Sequence, residues 1–218
     1  MSPSLSCGRF RLDLSTPRIM AIVNVTPDSF SGDGCTSLDA ALRAAERLIA
    51  EGAEILDIGG ESSRPGAVVV GVQEEIDRVV PVVEAFVQFG VPLSVDTVKP
   101  AVMRESIRVG ADIINDISAF QAEGAVDAVR DASAALCVMH MKGRPETMQI
   151  APRYDSVLSE VEGFLAGRVQ SLVGAGVSEE RILIDPGFGF GKTVDHNFAL
   201  LNGLHRLGVL GLPVLVGM

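Results

Sequence analysis

Six apolar segments of this chain carry, one after another, a polar residue at or near their C-terminal ends: Asn24, Asp57, Asp96, Asn115, His140 and Asp185. The segments span residues 18–24, 53–60, 92–97, 111–118, 134–140 and 181–187, and a seventh apolar run covers 212–218. Helical patterns fill the gaps, at 37–52, 71–90, 99–110, 122–132, 155–176 and 195–204, with Pro81 expected to kink the second. Seven continuous apolar strands alternating with six amphipathic helices predict a parallel sheet covered by helices. Two architectures satisfy that pattern. In a (β/α)₈ barrel the C-terminal strand ends converge on one mouth. In an open doubly wound sheet they spread along an edge, and only a switch point uses them. Helix capping accounts for one polar strand end taken alone, but six in succession favour the barrel.

The rest of the chain narrows the function. With 218 residues, 47% of them hydrophobic, and a mean hydropathy of +0.34, the chain suffices for one core and reads as a single domain over 1–218. No apolar run is long enough to span a membrane, and the first residues lack a signal-peptide apolar region. Cys7, Cys35 and Cys137 form neither a pairing framework nor a metal spacing, so a reduced, cytoplasmic setting is expected. A net charge of −10 with no basic stripe, no Trp and one Tyr argues against nucleic acid as a partner. The three histidines, His140, His196 and His205, make no zinc set.

The loops after the strands carry the chemistry. "DPGFGFGK" (185–192) invites a phosphate reading, but it has neither Walker A spacing nor G-x-G-x-x-G, since its third glycine comes one residue early. Either it is a flexible connection, or its glycines let the backbone approach a flat ligand with Phe188 or Phe190 on the face. Asp96, Asn115 and Asp185 admit three readings: they accept the N–H edge of a polar heterocycle, hold a hard cation, or cap helices. Asn24 offers one oxygen suited to Mg²⁺. In "GGESSRPGA" (59–67), Arg64 beside the Ser62 and Ser63 hydroxyls makes an anion clamp able to grip a diphosphate, or simply an exposed turn.

Taken together, "IVNVTPDSFS", "DIGGESSRPGA", "SVDT", "IINDIS", "MHMKGRPETMQ" and "DPGFGFGK" resemble the dihydropteroate synthase family of pterin-binding enzymes, in order, from about residue 5 to the end. The resemblance implies a (β/α)₈ barrel and a transferase of folate biosynthesis. Such an enzyme joins 6-hydroxymethyl-7,8-dihydropterin diphosphate to 4-aminobenzoate and releases pyrophosphate. It implies that Asp96, Asn115 and Asp185 hold the pterin, that Ile117, Met139 and Phe190 pack on its ring, and that Asn24 ligates Mg²⁺. Ser63 and Arg64 match a Thr-Arg pair that contacts the substrates; Arg64, Asp96 and Asp185 are the expected catalytic residues. Phe30 and Pro65 match positions shaping the aminobenzoate pocket, where sulfonamides compete. A homodimer is also implied.

Three departures stand out. The first loop reads "SFSGDG", which moves its acid to Asp33, one place later than the family pattern, and Ser63 replaces threonine. The sequence also stops at Met218, before the family's Ser-Arg-Lys and Arg-x-His segments, leaving seven strands for an eight-stranded barrel. On this reading the barrel is incomplete, its edges are open, and the 218-residue chain alone is expected to be inactive or impaired. Two alternatives stay open: a truncated, inactive pterin-binding fragment, and a folate-dependent methyltransferase domain. The diphosphate-suited loops disfavour the latter.

Overall fold

A computed structural model describes residues 3–25, 37–62, 69–145 and 147–217. The chain opens with an antiparallel hairpin, β1 (Ser4–Cys7) and β2 (Phe10–Asp13). Six parallel strands follow: β3 (Met20–Asn24), β4 (Ile55–Gly59), β5 (Leu93–Asp96), β6 (Ile113–Asp116), β7 (Ala135–Met139) and β8 (Ile182–Asp185). The helices between and after them are α1 (Ser37–Ala50), α2 (Val72–Phe86), α3 (Pro100–Val109), α4 (Ala125–Val129), α5 (Val157–Gly174) and α6 (Val194–Asn202).

The strands lie in the sheet in sequence order, β3-β4-β5-β6-β7-β8. A doubly wound sheet reverses its order at a switch point. Here there is no reversal, so right-handed crossovers place every helix on the same face. The other face then curls inward as a barrel wall. The side chains obey this division. Leu56, Ile58, Leu93, Val95, Ile114, Leu136, Val138, Ile182 and Ile184 point outward into the main core with the helices. Ile55, Ile113, Ala135, Cys137 and Leu183 point inward and form a second cluster.

That inner cluster explains the N-terminal hairpin, which periodicity did not reveal. Leu5 and Cys7 of β1 close the inner cluster at the N-terminal end of the strands, with Phe10 and Leu12 of β2 packed against it. Arg9 at the hairpin turn fastens the plug. Its Nη2 donates to Asp112 Oδ2 at 2.7 Å, and its Nε and backbone N–H donate to Oδ1 at 3.0 Å. Cys137 packs as a small buried hydrophobe.

The helices start and stop for local reasons. Thr193 and His196 form a reciprocal capping box on α6, and the Ser156 side chain caps α5. Pro100 stands in the first turn of α3, where its missing N–H costs nothing. α2 continues through Pro81, which lies on its exposed face, where solvent can satisfy the carbonyl a proline leaves free. The expected 71–90 helix instead ends at Phe86, in a short 3₁₀ turn over Val87–Phe89.

The seventh strand expected over 212–218 is corrected. This segment meets β8 at the single parallel bridge Ile184–Val214. Ile184 N–H donates to Pro213 O at 2.9 Å, and Leu215 N–H donates to Ile184 O at 2.8 Å. The next rung on either side would need an N–H from Pro186 or Pro213. Proline has none, so the ladder is cut both ways.

Candidate functional site

The register assembles the polar strand ends. Asn24 pairs with Gly59, Gly59 with Asp96 and Asp96 with Asn115, while Met139 pairs with Asp185. Asp57, one pleat deeper on β4, also faces the interior; Asn115 Nδ2 approaches its Oδ2 at 3.4 Å. A cavity of about 980 Å³ runs inside the sheet, and Asp96, Asn115, Ile117, Met139, Asp185 and Phe190 all line it. A second pocket of about 790 Å³ opens at the mouth, bounded by Glu61, Lys99, Gln121, Arg144 and Phe164. The two share Asp96 and Ile117. Phe30, Asp33, Ser63, Arg64 and Pro65 lie outside the described residues.

The interior is electrostatically demanding. Burial raises the Asp57 carboxyl, and the neighbouring Ser94 hydroxyl and then the Asn115 amide offset only part of that. Asp96 is raised well above the ordinary carboxylate value, by burial first and then by the charges of Asp57, Asp116, Glu75 and Glu61. Asp185 is raised to about 6 by burial, against a 2.6 Å hydrogen bond from Gly187 N–H and the nearby Lys192. Asp57 Oδ1, Ser94 Oγ and Asn115 Oδ1 are buried and have no hydrogen-bond partner among the described residues. Orphaned buried polar atoms cost free energy. A planar ligand with N–H groups along one edge would offer donors to Asp57 Oδ1 and Asn115 Oδ1.

The described residues contain no group of three or more His, Cys, Asp or Glu side chains placed to hold a metal. Asn24 is exposed at the end of β3. Its Oδ1 lies 3.5 Å from where a Cβ on Gly59 would sit. That is one hard oxygen, which suits a cation whose other ligands come from a bound diphosphate and water.

The "DPGFGFGK" segment is held by its lysine. Lys192 is buried, and its Nζ donates to Gly187 O at 2.7 Å, Phe190 O at 3.0 Å and His140 O at 3.2 Å. The same ammonium lies 3.0 Å from His140 Nδ1. Burial lowers Lys192 to about 7, while burial and then the Lys192 charge lower His140 to about 4. His140 is therefore neutral near pH 7, and its Nδ1 and the three carbonyls share the three protons of the ammonium. Gly187 and Gly191 have φ of +67° and +66°, and a Cβ on either would fall 2.0 Å from His140 O or 2.3 Å from Lys142 O. Only glycine permits both the conformation and the approach. Phe188 packs toward the helix layer and Phe190 faces the cavity. The lysine thus serves the loop's own carbonyls rather than a phosphate.

Two features escaped the sequence. Asp57 carried the same strand-end signal as Asp96, but its place in the interior depends on register. Lys192 invites a phosphate reading that the loop's spacing rules out, and nothing local in the sequence marks it as buried.

A parallel barrel with a carboxylate- and amide-lined cavity at its strand ends defines a small-molecule-binding TIM-barrel protein. Comparison narrows the class. A family model described as "Pterin binding enzyme" matches residues 20–218. The dihydropteroate synthase of Escherichia coli K12 is 51% identical over 209 residues, covering 95% of this chain and 74% of the relative. The Yersinia pestis dihydropteroate synthase, solved as a sulfonamide drug complex, superposes with a TM-score of 0.93 at 50% identity, covering 99% of this chain and 79% of that one. The Burkholderia cenocepacia dihydropteroate synthase, solved with 7,8-dihydropteroate, gives 0.90 at 52%, covering 100% and 77%. The chain belongs to the pterin binding enzyme family, among its dihydropteroate synthases.

Proposed function

We propose that this chain condenses 6-hydroxymethyl-7,8-dihydropterin diphosphate with 4-aminobenzoate, giving 7,8-dihydropteroate and pyrophosphate. The observation that carries this reading is the pair of cavities meeting at Asp96 and Ile117. A buried, acceptor-rich chamber suits the pterin, and the adjoining mouth pocket admits a second, smaller substrate. That related dihydropteroate synthases were solved with a sulfonamide drug and with 7,8-dihydropteroate supports the reading.

In this reading Asp185 and Asp96 accept from the N–H edge of the pterin, and Asn115 completes the pattern through its unpartnered Oδ1. Ile117, Met139 and Phe190 sandwich the ring. The C–O bond to the diphosphate breaks, leaving a cationic methylene conjugated with the ring. The buried carboxylates stabilise that charge. The aryl amine then forms the new C–N bond and gives up one proton. Ser63 and Arg64 take the role of substrate contacts, with Arg64 offsetting the leaving-group charge. Phe30 and Pro65 shape the aminobenzoate side, where sulfonamides compete. Mg²⁺ would neutralise the diphosphate when bound, with Asn24 contributing one oxygen. The homodimer implied by the resemblance would need exposed apolar surface, and Val194, Phe198 and Leu201 on α6 supply some.

The test is pyrophosphate release by the purified chain. Release that depends on both the pterin diphosphate and 4-aminobenzoate, with sulfonamide competing against aminobenzoate, would support the reading. Pterin binding without turnover would reduce the chain to a binding fragment. Binding of a methylated folate in preference to the diphosphate would favour the methyltransferase reading.

A further inference from the structure

A compact ion cluster forms part of the wall of the mouth pocket, and its side chains have been given no role above. Lys99, just before α3, places its ammonium against the carboxylates of Glu61 and Glu75. Glu75, on α2, is 1% exposed, and Lys99 and Glu61 are 15% and 22% exposed. Burial works against the charge on Lys99, but its hydrogen bonds to Glu61 and Glu75, together with their charges, outweigh that and raise its pKa.

The cluster has two ends. At one, Thr97 Oγ1 donates to Glu75 Oε1 at 2.6 Å and accepts the Lys99 backbone N–H at 3.2 Å. Thr97 is the residue after Asp96, so this end grips the tip of β5. At the other, Glu61 Oε1 accepts the Val70 N–H at 2.9 Å. Glu61 and Val70 stand on either side of the stretch containing Ser63 and Arg64. Arg78 braces the same side by donating to Gly60 O at 2.9 Å. One ammonium therefore connects both margins of the β4–α2 connection to the strand that carries Asp96. If the site needed only stability, apolar side chains would serve as well or better than a desolvated ion cluster. What charge and geometry add here is a fixed placement beside the two meeting cavities.

We propose that Lys99 is a positioning residue: it clasps the β4–α2 connection to the tip of β5, so that occupation of the inner cavity and alignment of the second substrate are coupled. This rests on the two-substrate reading above. The experiment compares wild type with Lys99→Met and Lys99→Arg, and with Glu61→Gln as a second variant should Lys99→Met fail to fold. Amide exchange at Val70, resolved by NMR, reports the clasp directly. Exchange should quicken by about tenfold in Lys99→Met while Val95 in β5 is unmoved, and Lys99→Arg should restore most of it. Adding the pterin diphosphate should protect Val70 further in wild type and not in Lys99→Met. In turnover, KM for 4-aminobenzoate should rise about tenfold while the pterin Kd changes less than about threefold. Unchanged Val70 exchange would overturn the proposal. So would a pterin affinity that falls as far as the amine KM rises. Failure of the wild-type chain to bind the pterin would instead remove the functional reading on which the coupling rests.

Discussion

Replacing Lys192 with methionine tests the loop that carries Phe190. Methionine keeps most of the apolar stem and removes only the ammonium, so no large cavity opens. Three carbonyls lose a donor, those of Gly187, Phe190 and His140. Gly187 O keeps the Phe190 N–H at 3.1 Å, so two carbonyls are left in need. An orphaned buried acceptor costs ~1–3 kcal/mol and the partly buried Phe190 O less, so the pair predicts a loss of about 2–3 kcal/mol. Equilibrium urea unfolding followed by far-UV circular dichroism measures this, with the midpoint and slope fitted together. Pterin affinity should fall in the same variant, because Phe190 and the Asp185 turn are tied to the same ammonium. A loss below about 1 kcal/mol would refute the reasoning, since it would mean that the loop carbonyls find donors without Lys192.

Other outcomes follow from the same geometry. Asp185 has a folded-state pKa of about 6 against an ordinary 3.8, so the folded state holds the extra proton between those values and stability falls as pH rises through that window. The ligand edge needs the ionised form, so pterin affinity should weaken about tenfold per pH unit below 6; fluorescence titration at several pH values would show it, and a flat profile would contradict it. Arg9→Met removes the cation from buried Asp112 but leaves the Arg9 and Leu93 backbone donors. Because Arg9 is itself partly exposed, the loss should be about 2 kcal/mol in urea unfolding rather than the larger cost of a fully buried pair. Phe198→Glu should abolish any dimer built on α6 in sedimentation velocity while leaving the circular dichroism spectrum unchanged.

The barrel was legible because each of six strands carries a polar residue at or near its C-terminal end, and that signal survives without knowing which strands are neighbours. Asp96, Asn115 and Asp185 fall into one cavity for that reason. The hairpin was not legible, because four-residue strands give period-two alternation too little length to show. The 212–218 segment looked like a strand because apolar content alone does not count donors, and two prolines decide its pairing. The Lys99 cluster and the burial of Lys192 join residues far apart in sequence, and only the register of the sheet brings them together.

The proline-cut contact at Ile184 has a mechanical consequence. Every other junction in the wall is a multi-rung ladder, whereas the span from Leu212 to Gly217 hangs on β8 by one rung. Those residues also form one side of the inner chamber. Thermal opening should begin along this seam, widening the chamber without unravelling the strands that hold Asp96 and Asn115.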